Sequence, residues 1–167
     1  MQTTFMNLRR IGLALTLAAA MTAAGCAGKK TAEDELIPTA ADADENRGGD
    51  SDSGNAMGLQ TVNYPYDSFV LDSRAKGVLT ANAAILKANS SMKVQIEGHC
   101  DERGGIQYNL ALGEKRASAA RKFLVDMGIS GSRITTISFG KERPLDSSSN
   151  EDAWAKNRRA NFVITSR

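Results

Sequence analysis

The chain has 167 residues and a formal net charge of +2, room for one domain with extensions and too little basic excess for a clustered nucleic-acid-binding stripe. Its two cysteines, Cys26 and Cys100, are too few for a secreted disulfide framework. Its one histidine, His99, lacks the partners that a zinc site or a histidine-based triad needs. The charge is also uneven. Residues 27–56 hold three basic and eight acidic side chains, a net of −5, whereas residues 57–167 hold 16 basic and 11 acidic, a net of +5. A basic domain on an acidic leash suits an anionic partner or surface, and the interspersed charges give no reason to expect nucleic acid.

Residues 1–25 read as a signal peptide. Arg9 and Arg10 form a positive start, and Ile11–Ala24 is an uncharged apolar run of 14 residues. At about 1.5 Å per residue it spans roughly 21 Å, short of a hydrocarbon core of about 30 Å. The small residues Ala23, Ala24 and Gly25 precede Cys26 and resemble a bacterial lipobox, with Ala23 standing where leucine is usual. Cleavage before Cys26 and its lipidation, palmitate included, are the expectation, since each buried CH₂ adds about 0.8 kcal/mol of anchoring. No aspartate follows Cys26, so nothing argues against the outer membrane. Residues 26–56 read as the lipidated N-terminus and a flexible linker. The stretch has no aromatic residue and only Leu36 and Ile37 as large apolar side chains, too little to offset the entropy of ordering. Thirty such residues reach about 30 Å on average at roughly 5–6 Å × √n.

Residues 57–167 carry the folded domain. Leu59–Tyr64 alternates as a first strand, and Pro65 ends it in a turn through Asp67. Asp72 or Ser73 caps a helix with apolar positions Ala75, Val78, Leu79, Ile85 and Leu86, ending near Asn89. Lys93–Gly98 is a second strand, with Val94 and Ile96 on one face. A helix from near Ile106 to about Met127 places Leu110, Ala117, Ala120, Leu124 and Met127 on one side, and Gly128 closes it. Ile134–Phe139 is a third strand. Asn150, Glu151 and Asp152 open a short helix through Ala155, and a last strand carries Phe162 and Ile164. The order βαβαβ(α)β predicts a mixed α/β (α+β) fold, a two-layer sandwich with helices on one face of a small sheet.

The chemistry concentrates between Gly98 and Ala117. Asp101 falls in the loop after the second strand and Arg116 two to three turns into the helix. They form either a local ion pair or a clamp for a zwitterionic group, the carboxylate taking an ammonium and the guanidinium a carboxylate. Asp101 and Glu102 are adjacent acids rather than a pair flanking a bond, and Arg103 and Arg116 compete for them. Cys100 reads as a small buried hydrophobe and His99 as a structural residue hydrogen-bonded at the strand end. Gly104 and Gly105 match no phosphate-binding motif. No catalytic residue, metal or cofactor is expected.

The stretches GHCDERGGIQYNLALGEKRA (98–117), GKERPL (140–145) and NRRANF (157–162) together resemble the OmpA-like C-terminal domain family, and within it the lipoproteins associated with peptidoglycan. The resemblance covers roughly residues 59–165. It implies a noncovalent hold on the peptidoglycan stem peptide through diaminopimelate, with Asp101 accepting the amine and Arg116 the side-chain carboxylate. Leu112 would pack on the ligand. Tyr66, Asp67 and Phe69 would form the opposite wall, Phe69 standing where tyrosine is common. Asn109, Asn157 and Arg158 match positions that shape the pocket. The family also implies the Tol proteins TolB and TolA as partners, a role in cell division and envelope integrity, and a domain facing the periplasm. Two rivals remain. One is the wall-anchoring domain of another envelope or secretion assembly or of a flagellar stator, which shares the motif although stators carry a membrane-spanning helix. The other is a wall enzyme, which would need catalytic groups.

Overall fold

The computed structural model describes residues 48–167. The expected signal peptide, the lipidation at Cys26 and the linker up to residue 47 lie outside the described residues. Among the described residues no helix is long and apolar enough to cross a membrane. The elements run β1 (Val62–Asn63), α1 (Ser73–Ala88), β2 (Lys93–His99), α2 (Ile106–Asp126), a 3-10 turn (Gly131–Arg133), β3 (Ile134–Gly140), α3 (Glu151–Asn157) and β4 (Arg159–Ser166).

The expected local signals act where they stand. Asp72 Oδ1 accepts from the Ala75 N–H at 2.7 Å, and Asn150 Oδ1 from the Ala153 N–H at 3.0 Å, each satisfying an orphan donor of a first helical turn. Gly128, at φ +92°, closes α2 in the left-handed conformation that costs glycine little.

The sheet order is β1-β4-β2-β3, with β4 antiparallel to both β1 and β2, and β2 parallel to β3. Parallel neighbours cannot be joined by a tight hairpin, and α2 provides the crossover. One face carries the apolar core: Val94, Ile96, Phe162 and Ile164 from the sheet meet Leu79, Ala83 and Leu86 of α1 and Ala117, Ala120 and Leu124 of α2. That is the two-layer α/β arrangement expected.

Two boundaries differ from expectation. The first strand contributes only Val62 and Asn63 to the ladder. The buried Asn82 side chain occupies the backbone of Gln60 instead, accepting from its N–H and donating to its carbonyl, both at 2.8 Å. The fold also takes in residues before Met57. Gly48 N–H donates to Ile164 O and Ser51 N–H to Phe162 O, both at 2.9 Å, so residues 48–51 pair with β4 beyond the point where β1 stops. Ala56 is fully buried in the core. The last nine residues assigned to the linker are therefore part of the fold, because a strand edge of unpaired N–H and C=O groups was available to take them.

This segment also completes the other face of the sheet, where Glu97, Arg159 and Asn161 are buried. Ser51 Oγ donates to Asn161 Oδ1 at 2.8 Å, Asn161 Nδ2 to Glu97 Oε2 at 3.1 Å, and Arg159 Nε to Asp52 Oδ2 at 2.8 Å. His99 lies in the same layer, stacked on Phe139 with centroids 5.6 Å apart. The hydrogen bond expected of His99 is not made by its ring: neither ring nitrogen has a partner within hydrogen-bond distance, and Glu97 Oε2, on the same strand face two positions away, is 3.7 Å from Nε2.

One close approach sets the site. A Cβ on Gly98 would lie 1.9 Å from Gly113 O, and one on Gly113 would lie 2.3 Å from Ser138 Oγ. Helix α2 therefore crosses β2 at backbone distance and lies against the Ser138 side chain of β3. That fixes Leu112 and Arg116, one turn apart on α2, over the end of β2.

Candidate ligand-binding site

At the end of β2 the Cys100 N–H donates to Gly140 O at 2.7 Å, tying the start of the loop to β3. Beyond it lies a cavity of about 260 Å³ lined by Tyr66, Asp67, Cys100, Asp101, Arg103, Gly104, Tyr108, Asn109, Leu112 and Arg116. Six of the residues anticipated from sequence thus share one cavity: Asp101, Arg116, Leu112, Tyr66, Asp67 and Asn109.

Asp101 and Arg116 do not pair with each other. Arg116 is fully buried, and its donors go to backbone carbonyls: Nε to Ser68 O at 2.9 Å, Nη1 to His99 O at 2.8 Å and Nη2 to Pro65 O at 3.2 Å. A guanidinium has five N–H donors, so two remain beyond these three bonds. Among the described residues no carboxylate lies within ion-pair distance of Arg116. Burial pushes its pKa below the ordinary arginine value, with the neighbouring Cys100, Tyr64 and Asp101 opposing. The local ion-pair reading is therefore corrected: helix spacing and the 64–69 loop aim the guanidinium at carbonyls. These bonds also make Arg116 the peg of that loop, while Tyr64 Oη donates back to Arg116 O at 2.8 Å.

Asp101 is engaged by two other arginines. Oδ1 accepts from the Arg103 N–H and Nε, both at 3.1 Å, and Oδ2 from Arg103 Nη2 at 2.7 Å and Arg158 Nη1 at 3.4 Å. Burial raises the carboxyl's pKa, but the Arg103 side-chain and backbone hydrogen bonds outweigh it and hold Asp101 below its ordinary value. The Cys100 thiol, pushed up by burial, donates to Asn109 O at 3.3 Å, as suits a buried small residue. Among the described residues it forms no disulfide.

Three anticipated residues stand outside the cavity lining. Phe69 lies beyond Asp67, whose left-handed φ of +49° turns the chain, and lines a separate groove with Val70, Leu71 and Phe123. Asn157 is committed to a loop, its Oδ1 accepting from the Leu145 N–H at 2.8 Å and its Nδ2 donating to Asp146 O at 2.7 Å. Arg158 acts from behind: it touches Asp101, and its Nη2 donates to Glu151 Oε1 at 2.6 Å. Asn109 has a structural task as well, its Nδ2 donating to Arg103 O at 2.8 Å.

Sequence reasoning missed Tyr108 and Trp154; Arg103 competes for Asp101 as expected, and it also lines the cavity. The Arg103 guanidinium lies between the Tyr66 and Trp154 rings, 4.1 Å from each centroid. Trp154 is held by Nε1 donating to Glu102 Oε1 at 3.0 Å, and Tyr108 Oη donates to Asp67 Oδ1. The one available signal was an arginine two residues after an acid in a glycine-containing loop. The aromatic partners come from distant segments.

The OmpA family profile matches residues 63–158. The peptidoglycan-associated lipoprotein of Mesorhizobium japonicum is 40% identical over 159 residues, covering 92% of this chain and 91% of that protein. The protein of that name in Pseudomonas aeruginosa is 42% identical over 109 residues, or 65% of this chain and 64% of that protein. The crystal structure of the Burkholderia pseudomallei peptidoglycan-associated lipoprotein has a TM-score of 0.60 at 38% identity, covering 62% of this chain and 88% of that one. The C-terminal domain of Helicobacter pylori MotB has a TM-score of 0.59 at 17% identity, covering 64% of this chain and 84% of that one, a likeness of fold alone.

Proposed function

The chain belongs to the OmpA family and, within it, to the peptidoglycan-associated lipoproteins, and from that premise we propose that it binds peptidoglycan noncovalently through the diaminopimelate of the stem peptide. One observation carries the reading. Arg116 is a fully buried cation with no carboxylate of its own among the described residues, and it lines a cavity whose other charged groups include Asp101. A buried charge without a counter-ion is costly by several kcal/mol, so a ligand carboxylate at its free N–H groups gains strongly. Asp101 supplies the complementary end for the ligand ammonium. Diaminopimelate offers both groups on one side chain, and Leu112 and Tyr66 give its methylenes apolar contact.

The protein acts as a tether rather than a catalyst. Asp101 is already engaged by arginines, burial raises the Cys100 thiol, and His99 is absent from the lining. Lipidation at Cys26 fixes the N-terminus in the outer membrane, the linker crosses part of the periplasm, and the domain grips the wall. The Tol proteins TolB and TolA are the partners that family membership suggests, and a role in envelope constriction during cell division is proposed with them.

The test uses the full chain in detergent with isolated sacculi. Wild type co-sediments, whereas Asp101→Ala and Arg116→Lys, checked for folding by circular dichroism, remain in solution. Sedimentation of both variants at the wild-type level defeats the site assignment. Metabolic palmitate labelling that disappears in Cys26→Ala supports the anchor, and an unlabelled wild type contradicts it.

A further inference from the structure

Resting on the ligand reading above, we propose that Arg103 is a latch: its guanidinium fills the ammonium position on Asp101 in the empty site and moves towards Glu151 when an amine-bearing ligand enters. An ionised carboxylate accepts about four hydrogen bonds. Asp101 already accepts four, three of them from Arg103, at 2.7 to 3.1 Å. A ligand ammonium therefore reaches Asp101 only by displacing a present donor. Arg158 is the less movable of the two, its side chain only 8% exposed and bonded to Tyr64 O and Glu151 as well. The Arg103 side chain is 31% exposed.

Arg103 also has somewhere to go. Glu151 Oε2 lies 3.9 Å from the same Nη2 that holds Asp101, on a side chain that is 63% exposed. The Tyr66 and Trp154 rings each lie 4.1 Å from the guanidinium carbon, so the charge can turn towards Glu151 while staying against aromatic faces, and its position over the Trp154 ring changes as it does so. The arrangement then conserves charge pairing: ligand ammonium on Asp101, ligand carboxylate on Arg116, Arg103 on Glu151. Selectivity follows. A ligand that lacks the amine gains nothing at Asp101 and leaves the latch closed. A ligand with the amine binds with an affinity reduced by the fraction of molecules that are closed.

The experiment titrates meso-diaminopimelate into the full chain in detergent, by calorimetry and by fluorescence of Trp154, the only tryptophan in the chain. Arg103→Ala removes the latch, and Arg103→Met keeps an uncharged stem between the rings should the alanine variant let them collapse. Both variants are expected to bind on the order of ten times more tightly than wild type, as a charge-assisted contact no longer has to be broken. The ligand-induced change in Trp154 emission is expected in wild type and absent from both. Unchanged or weaker binding by folded Arg103→Met, with wild type binding, overturns the latch and leaves the ligand reading standing. Absence of binding by wild type and variants alike overturns both.

Discussion

Arg116 and Arg159 are both buried, yet they are balanced in opposite ways. Arg159 has its own carboxylate, with Nε donating to Asp52 Oδ2 at 2.8 Å, and weaker bonds to the Asn157 and Arg143 carbonyls at 3.3 and 3.4 Å. Arg116 has three carbonyls and, among the described residues, no carboxylate. The first is a closed unit whose task is to hold residues 48–56 on the sheet. The second has donors left over beside a cavity. A buried guanidinium with its counter-ion built in is structural, and one without it is the basis for the ligand site proposed at Arg116.

The largest expected effect comes from opening the closed unit. Asp52→Ala leaves Arg159 charged and unpaired, and is expected to cost about 3–5 kcal/mol in urea unfolding. Retention on sacculi at a temperature where the variant is folded should be unchanged. Arg116→Lys reverses the pattern. The three carbonyls are reached by three different nitrogens of the planar guanidinium, a spread that one ammonium nitrogen does not have, so stability falls by about 1–3 kcal/mol, while sacculus retention is lost altogether. If the two substitutions affect retention equally, the distinction between the arginines fails.

A pH series sharpens the same contrast. Burial holds the His99 pKa below its ordinary value, with Glu97 and Asp52 opposing and Arg159 assisting. Between the lowered folded value and the unfolded value of about 6.5, the unfolded chain binds more protons. Stability is therefore full above about pH 6.5 and declines as pH falls through that window, by at most about 1.4 kcal/mol per pH unit. In His99→Gln the decline in this window should vanish; if it persists unchanged, another group is responsible. Asp101 titrates lower, so loss of ligand binding should begin only below the ordinary carboxylate range. The smallest effect belongs to the exposed pair of Asp146 and Lys156. The Lys156 hydrogen bond, aided by those from Ser148, holds Asp146 down to about 2, but the pair lies in solvent. Asp146→Asn should leave the melting temperature unchanged near neutral pH.

How much of this was legible in the sequence depends on the distance over which each feature is specified. The alternation of β2, the apolar spacing of α2 and the caps at Asp72, Asn150 and Gly128 are local, and each appears within a residue or two of where it was expected. The boundaries that moved depend on distant partners. Asn82 reaches back 22 residues to replace the ladder at Gln60, and β4 recruits residues 48–51 from over 100 positions away. The site divides likewise. Asp101 and Arg116 stand at positions a strand–loop–helix pattern can place. Arg103 follows Asp101 by two residues, so its hold on that acid is local as well; that Arg158 joins it and that Trp154 backs Arg103 follows only from the folding of α3 against the loop.

The most direct measurement compares two tripeptides that differ by one group, a stem peptide ending in diaminopimelate and its lysine counterpart. Lysine retains the amine for Asp101 but lacks the side-chain carboxylate that Arg116 is proposed to take. Calorimetry on the full chain should show the diaminopimelate peptide binding and the lysine peptide weaker by about 100-fold or more, since the buried guanidinium stays unanswered. Equal affinity for the two peptides would contradict the account, because Arg116 would then be no part of ligand recognition.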